Sequence, residues 1–467
     1  MKKILLLSAL VASIASVAAA TTGEFKIETE HKMKHYKDVA FSEMLNHSGH
    51  MLKTSGDVNI AGSGFHLGGD LKFERGLSVK FDDATNKNVF EAKNLEVKDI
   101  NVYAKYEIPT KVEGLSTYVK GQLGFADLTK TAPADKKIKT TGEANVEYKK
   151  DDMEYIFNTK TEAEMQIATT AIFNPKFDST HKVEIKGKTK VAQDIIAKVE
   201  VEHDYQVKAK KFEPNVKAHV ELGAGGMIND ETSIKFNNKF DMMIHTGDNK
   251  YDKEIKDYKV LDDWKKFGDT SEGFAKSDIS NKFDIVATWK KDGFELTGNP
   301  FVELQSKETK IVFPIASVND KLLVGYGLDT KAKYTYKNFT VGGHALLGGK
   351  YDNAKAAAEM EGKFKFGLYG EYKGVVNDML TITPRLEAKS EFNGVKASND
   401  PVNKKPSLTG IVFEVIPKLS VEYKPIEKLT LKTSVETPVK FKATKTVTDF
   451  GYSETEMKAT LGAEYKF

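Results

Sequence analysis

The chain ends on Glu456-Met457-Lys458-Ala459-Thr460-Leu461-Gly462-Ala463-Glu464-Tyr465-Lys466-Phe467, a stretch that alternates without a slip. One row reads Met457, Ala459, Leu461, Ala463, Tyr465 and Phe467. The other reads Glu456, Lys458, Thr460, Gly462, Glu464 and Lys466. A period of two belongs to an extended strand whose faces meet different surroundings. Chain ends ordinarily fray, so a strand that runs to the last residue needs a partner to hold it. In a transmembrane barrel the last strand pairs with the first and closes the wall.

The same alternation recurs upstream. Ile100, Val102, Ala104, Tyr106 and Ile108 form one apolar row, which Pro109 stops. Leu115, Thr117, Val119, Gly121, Leu123 and Phe125 form the next. Phe236, Phe240 and Met242 make a later row that Asn238 interrupts, and Met360, Phe364, Phe366 and Leu368 another. The intervening positions are repeatedly Lys, Glu, Asp, Thr, Asn and Gly. Helical spacing would scatter these charges around the element instead of stacking them on one side. Aromatics near strand ends, among them Tyr106, Phe125, Tyr148, Tyr326, Tyr336, Tyr372 and Tyr423, suit interfacial girdles.

Residues 1–20 have the three parts of a secretory signal: Lys2 and Lys3, apolar Ile4 to Val17, then Ala18-Ala19-Ala20. Export by the Sec route with cleavage near Ala20 is the expectation, and it lowers the formal charge from +3 to +1. The chain has no Cys, which excludes a disulfide framework and thiolate sites. Its hydrophobic fraction is 40% and its mean hydropathy −0.43. Those values do not exclude a membrane barrel, because only alternate residues of a strand touch lipid. Nothing in the charge resembles a nucleic-acid binder.

Turn chemistry punctuates the rows at Asp151-Asp152, Lys291-Asp292-Gly293, Tyr336-Lys337-Asn338, Lys373-Gly374 and Pro425-Ile426-Glu427. Longer polar stretches lie at 127–140, 246–281 and 393–407. Two ~10-residue strands with one short turn and one long loop take about 45–55 residues. The mature chain therefore predicts about 16–20 strands, with 18 as the central value and a water-filled lumen. The expected fold class is all-β: an antiparallel up-and-down transmembrane barrel with short periplasmic turns and longer extracellular loops. The barrel is expected over 56–467, with 21–55 an N-terminal segment, either a short helix or a first strand.

Several groups are candidates for function. Within 251–267, Tyr251, Ile255, Tyr258, Leu261, Trp264 and Phe267 have near-helical spacing, interleaved with Asp252, Glu254, Asp257, Asp262 and Asp263. This loop either folds inward as a constriction or covers the mouth. Lys182, Lys186, Lys188, Lys190, Lys432, Lys440 and Lys458 occupy polar rows and are candidate lumen lysines. Inward lysine rows suggest a slight anion preference. His31, His35, His47 and His50 include an i, i+4 pair that would share a helix face. With no evident second-shell partner they read as surface residues, so no metal or cofactor site is expected. No Gly-x-Ser-x-Gly motif or phosphate loop is present, and no enzyme activity is expected.

The signal segment, the amphipathic strands and the ending Leu461-Gly462-Ala463-Glu464-Tyr465-Lys466-Phe467 together resemble Gram-negative outer-membrane porins. The resemblance implies that Leu461, Tyr465 and Phe467 form the signal read by the barrel-assembly machinery. It further implies an outer-membrane location amid lipid and lipopolysaccharide, passive diffusion of small hydrophilic solutes, and an arrangement that admits a homo-trimer. The sequence departs from the arginine ladder of general porins, having only Arg75 and Arg385. Two other readings stay open: a barrel acting as a surface binding or adhesion protein through its long loops, and a soluble secreted all-β protein.

Overall fold

The computed structural model describes residues 21–36, 48–60, 62–82, 87–92, 96–128, 136–167, 172–189, 192, 194–208, 211–245, 276–312, 316–318, 321–352, 359–396, 410–443 and 450–466. Every element among them is a β-strand. In order these are β1 Thr21–Tyr36, β2 Ser48–Ile60, β3 Phe65–Asp82, β4 Lys87–Ala92, β5 Glu96–Ile108, β6 Leu115–Ala126, β7 Lys137–Lys150 and β8 Met153–Ile167. Next come β9 Ile172–Gly187, β10 Asp194–Lys208, β11 Lys211–Asn229, β12 Thr232–His245, β13 Lys276–Lys291, β14 Phe294–Val312, β15 Ala316–Val318 and β16 Lys321–Tyr336. The series ends with β17 Phe339–Asp352, β18 Glu359–Tyr372, β19 Gly374–Asn377, β20 Leu380–Lys396, β21 Gly410–Ile426, β22 Leu429–Glu436, β23 Val439–Ala443 and β24 Gly451–Lys466.

All are antiparallel and belong to one sheet. Four staves are interrupted, so β4 with β5, β15 with β16, β18 with β19, and β22 with β23 each make one. The ring therefore has twenty staves, at the upper end of the expected range. It closes where β1 pairs with β24, in register from Glu24↔Lys466 to Tyr36↔Glu454. The terminal strand is the seam. An even number of staves leaves both described ends on the same rim. The stretch 21–55, where the pattern allows a helix or a first strand, supplies β1 and part of β2. Residues 1–20 lie outside the described residues.

The connections on the rim that carries the chain ends are mostly two-residue turns, at 151–152, 230–231, 292–293, 337–338, 378–379 and 427–428. Asp292 and Gly293 both have positive φ, 47° and 82°, which matches the twist of the hairpin they join. Lys373-Gly374, read above as a turn, instead marks the break between β18 and β19. The turn lies farther on, where Asn377 Oδ1 accepts from the backbone N–H of Met379 at 2.9 Å and Leu380 at 2.8 Å. The turn after β11 is of the same kind, with Asn229 Oδ1 accepting from Glu231 N–H at 3.0 Å.

The two faces of the wall differ as alternation requires. Apolar rows face outward and most are open, with Leu368 69% exposed, Leu461 57% and Val102 52%, while Val58 on β2 and Leu71 and Phe73 on β3 are covered. Near the termini rim they end in aromatics, including Phe65 against Tyr106 at 4.5 Å and Trp289 against Phe294 at 5.5 Å between ring centroids. Trp289 Nε1 donates to the turn residue Glu231 at 3.1 Å, an amphipathic arrangement suited to an interface. Lys291, 2.8 Å away, and then Trp289 hold the Glu231 carboxyl below the usual carboxylate range.

Asn238, which breaks the apolar row of β12, is answered from β13. Asn238 and Asn281 exchange reciprocal side-chain amide bonds of 3.2 Å on the outer face. A polar group facing lipid has no water to bond, so each amide needs the other. Asn238→Leu alone is expected to cost about 1–3 kcal/mol by stranding Asn281. The double replacement Asn238→Leu with Asn281→Leu is expected to return to near wild-type stability. Denaturant unfolding in lipid vesicles measures both, and additive losses would contradict the pairing.

Candidate functional site

The polar rows face inward, where the closed wall crowds them. Same-face neighbours on a strand stand about 7 Å apart, which two long side chains can bridge. This chain uses that spacing repeatedly: Lys72 meets Glu74 at 2.9 Å, Lys105 meets Glu107 at 2.8 Å, Lys198 meets Glu200 at 2.9 Å and Lys389 meets Glu387 at 3.0 Å. Other pairs cross between staves, as with Lys137 and Glu164 at 2.6 Å.

Most of the candidate lumen lysines enter this network. Lys182 and Lys186 flank Glu184, each at 3.0 Å. Lys440 meets Glu454 at 3.0 Å and Glu414 at 3.7 Å, and Lys432 meets Glu422 at 3.9 Å. Lys458 crosses the seam to Glu30 at 2.8 Å. Lys188 lies past the end of β9, where its N–H donates to Asp152 O at 3.1 Å, so it belongs to the termini rim. Lys190 lies outside the described residues. So do Asp252, Glu254, Asp257, Asp262 and Asp263 of the candidate constriction loop, and Phe467. Leu461 and Tyr465 are on the outer face of β24, 57% and 41% exposed.

The two arginines part company. Arg385 is in the lumen wall, 3.4 Å from Glu371 and 3.0 Å from Glu387, with its guanidinium 4.0 Å from the Tyr369 ring centroid. It borders a recess of about 360 Å³ that Thr383, Lys418, Ser420 and Glu436 also line. The far end of Tyr369 in turn crosses Gly342, where a Cβ would stand 2.5 Å from the ring, so a larger residue there would have to push the tyrosine aside. Arg75 is on the opposite face, in the outward row with Leu67 and Phe73.

Two more tyrosines occupy polar-row positions. Tyr103 and Tyr118, on β5 and β6, sit diagonally across from Lys120 and Lys105. Lys120 Nζ is 4.3 Å from the Tyr103 ring and Lys105 Nζ 4.6 Å from that of Tyr118. The hydroxyl of Tyr103 donates to Asp57, and that of Tyr118 donates to Glu143 at 2.7 Å. The reading from sequence missed these tyrosines. Their parity with Asn101 and Lys105 was the available signal, because it places Tyr103 on the charged row.

The most enclosed inward residues are on β12–β14, with Asp241, Lys282, Asp284, Asn299, Glu303 and Gln305 all buried. His219 bonds Asp241 at 2.8 Å, while Asn237 and Asn299 donate to Asp284 at 2.8 and 3.3 Å. Beside them Phe301 and Leu346 form a small buried apolar contact. This part of the wall is a hydrogen-bonded polar network closed off from solvent.

Of the N-terminal histidines, the structure brings His31 and His50 into direct Nδ1–Nδ1 contact across β1 and β2. The side chain of His35 and all of His47 lie outside the described residues. Among the described residues no group of three or more His, Asp or Glu could hold a metal ion.

No family model matches the sequence, and neither does any curated protein. Solved structures do match the fold. The FrpB iron transporter from Neisseria meningitidis (F5-1 variant) is 8% identical, with 97% of this chain and 83% of that chain covered at a TM-score of 0.52. The siderophore receptor PirA from Pseudomonas aeruginosa is also 8% identical, with 96% and 80% covered and a TM-score of 0.51. At such identity the likeness is one of architecture: the closed antiparallel barrel of Gram-negative outer-membrane proteins.

Proposed function

We propose that the protein is an outer-membrane pore through which small hydrophilic solutes diffuse passively. The observation that carries this reading is the closed ring of twenty staves with paired charges inside and an open apolar surface outside. With strands about 4.8 Å apart and tilted about 40°, twenty staves enclose a backbone ring roughly 40 Å across. Side chains narrow that bore and leave an aqueous path lined by Lys and Asp or Glu. Passage is then set by size and by the local field.

The pairing of lumen lysines with carboxylates weakens the anion preference that the lysine rows alone suggest. The reading is therefore a weakly selective pore, with a cation-to-anion permeability ratio near unity. A second reading, gated uptake by a receptor-type barrel, draws on the fold likeness to a siderophore receptor and an iron transporter. Planar-bilayer recording with the purified protein separates the two. The pore reading expects discrete ohmic steps without any added ligand. A silent membrane in the presence of folded barrel would overturn it and favour gated uptake.

A further inference from the structure

Four neighbouring staves bring charged positions of their inward rows into one line, across β18, β20, β21 and β22. The register sets Glu371 opposite Arg385, Arg385 opposite Lys418, and Lys418 opposite Glu436. Around the wall the charges run minus, plus, plus, minus. Two cations therefore face each other directly, with Cβ atoms about 5 Å apart, an arrangement that repels where nothing negative lies between. Their carboxylate partners stand on the far sides, Glu371 at 3.4 Å from Arg385 and Glu436 at 3.4 Å from Lys418. One inward step toward the termini rim, Thr383 opposes Ser420. One step the other way, Glu387 opposes Ile416. Arg385 is five residues from the start of β20 at that rim, which at ~3.3 Å rise and ~40° tilt is roughly 13 Å of height. That is about half the ~25 Å band of such a barrel.

These residues line the recess of about 360 Å³ beside Arg385, a volume at the lower end for small-molecule sites. Its hydrogen-bonding capacity is only partly used. Two of the five N–H donors of Arg385 bond Glu371 and Glu387, and the other three meet no acceptor among the described residues. The hydroxyls of Thr383 and Ser420 likewise have no partner among the described residues. Ile416 puts a buried apolar group into a row that otherwise reads Glu414, Lys418, Ser420 and Glu422. A carboxylate seated between Arg385 and Lys418 relieves their repulsion and takes up the unused donors. Lys389 completes the lining, so Arg385, Lys389 and Lys418 already balance Glu371, Glu387 and Glu436. A bound carboxylate therefore leaves one negative charge in excess. An ammonium on the same solute, turned toward Glu436, restores neutrality.

We propose that this recess binds a zwitterionic amino acid with an apolar side chain. Its carboxylate lies between Arg385 and Lys418, its ammonium meets Glu436, and its side chain covers Ile416. The site deepens the reading of the lumen as a water-filled path for hydrophilic solutes, and rests on it. Saturation-transfer NMR of the detergent-solubilised barrel tests it with L-leucine, with isocaproate, which lacks the ammonium, and with isoamylamine, which lacks the carboxylate. Wild type is expected to bind leucine at least about tenfold more tightly than either analogue, the worth of one charge-assisted bond. R385Q/K418Q should weaken leucine binding by at least about tenfold, and E436Q should abolish leucine's advantage over isocaproate. Folding of each variant is read from its mobility shift on boiling, and the wild-type ligand series decides the matter if a variant does not fold. Equal binding of all three ligands by wild type, or unchanged leucine binding in folded R385Q/K418Q, would overturn the site. Isocaproate bound as tightly as leucine would overturn its assignment to a zwitterion. The titration needs no current. Ohmic steps without leucine binding would therefore count against the site alone, and leucine binding beside a silent membrane against the pore alone.

Discussion

Ending the chain at Phe450, which removes β24, is expected to abolish the folded barrel. β24 is paired along both edges, to β1 from Glu24↔Lys466 to Tyr36↔Glu454 and to β22 and β23 on the other side. Without it, both neighbours present unpaired N–H and C=O groups to lipid. Each such group costs several kcal/mol, and water cannot relieve it in the hydrocarbon layer. The summed cost exceeds the total stability of an ordinary domain. Refolding from urea into detergent, followed by the gel shift on boiling, should show no heat-modifiable band for the truncated chain. Removing Phe467 alone leaves the seam's register pairs in place. That variant should refold in vitro while assembling poorly in cells if the terminal aromatic is an assembly signal.

Replacing Leu368 with Arg is expected to cost roughly 2–4 kcal/mol, the penalty for a cation on the lipid face near the bilayer midplane. Leu368 is the most open of the outward apolar residues at 69% exposure, and it stands four residues above Tyr372 of the aromatic girdle. Its neighbour Gly367 points inward, where an added Cβ would meet only Ala388 O and Lys389 Cγ, both at 3.7 Å. Gly367→Lys should therefore fold with nearly wild-type stability. The contrast is one residue wide, because a single step along a strand exchanges lipid for lumen. Denaturant titration in vesicles measures both, and similar losses would mean that the rows have been assigned to the wrong faces.

Periodicity made the fold legible, and the places where it faltered explain the rest. The rows at 100–108, 115–125 and 456–467 alternate cleanly, and each is one whole strand or nearly so. β1 carries Thr29 and His31 in its outward row, so its alternation is weak by composition although its pairing is regular. The stave count came out two above the central expectation, within the range. The difference comes from hairpins at the short end of the assumed length, about 45 residues per pair of staves; a break such as Lys373-Gly374, which has turn chemistry but sits inside one stave, would raise a count instead. The turns at Asn229 and Asn377 carry their own signal, an Asn followed by an acidic residue, which becomes decisive only once flanking strands are known.

The site was legible as a class of surface but not as a set of contacts. Parity alone places Lys182, Lys186 and Lys458 on charged rows. That Lys458 answers Glu30 across the seam follows from the stagger between β1 and β24, which no local pattern contains. The arginines make the point again. Arg75 and Arg385 are alike in composition, yet register sends one to the outer face beside His50 and the other to the lumen beside Tyr369.

Because the chain has no Cys, single cysteines can report each position of β24 against a silent background. The most direct test of a closed membrane barrel with a wet lumen is labelling of cysteines at 458 to 464 by a small charged maleimide, with the protein in lipid vesicles. Alternation is expected: fast labelling at Lys458, Thr460, Gly462 and Glu464, and slow labelling at Ala459, Leu461 and Ala463. Uniform fast labelling of both rows would contradict it, since the apolar face would then be in water.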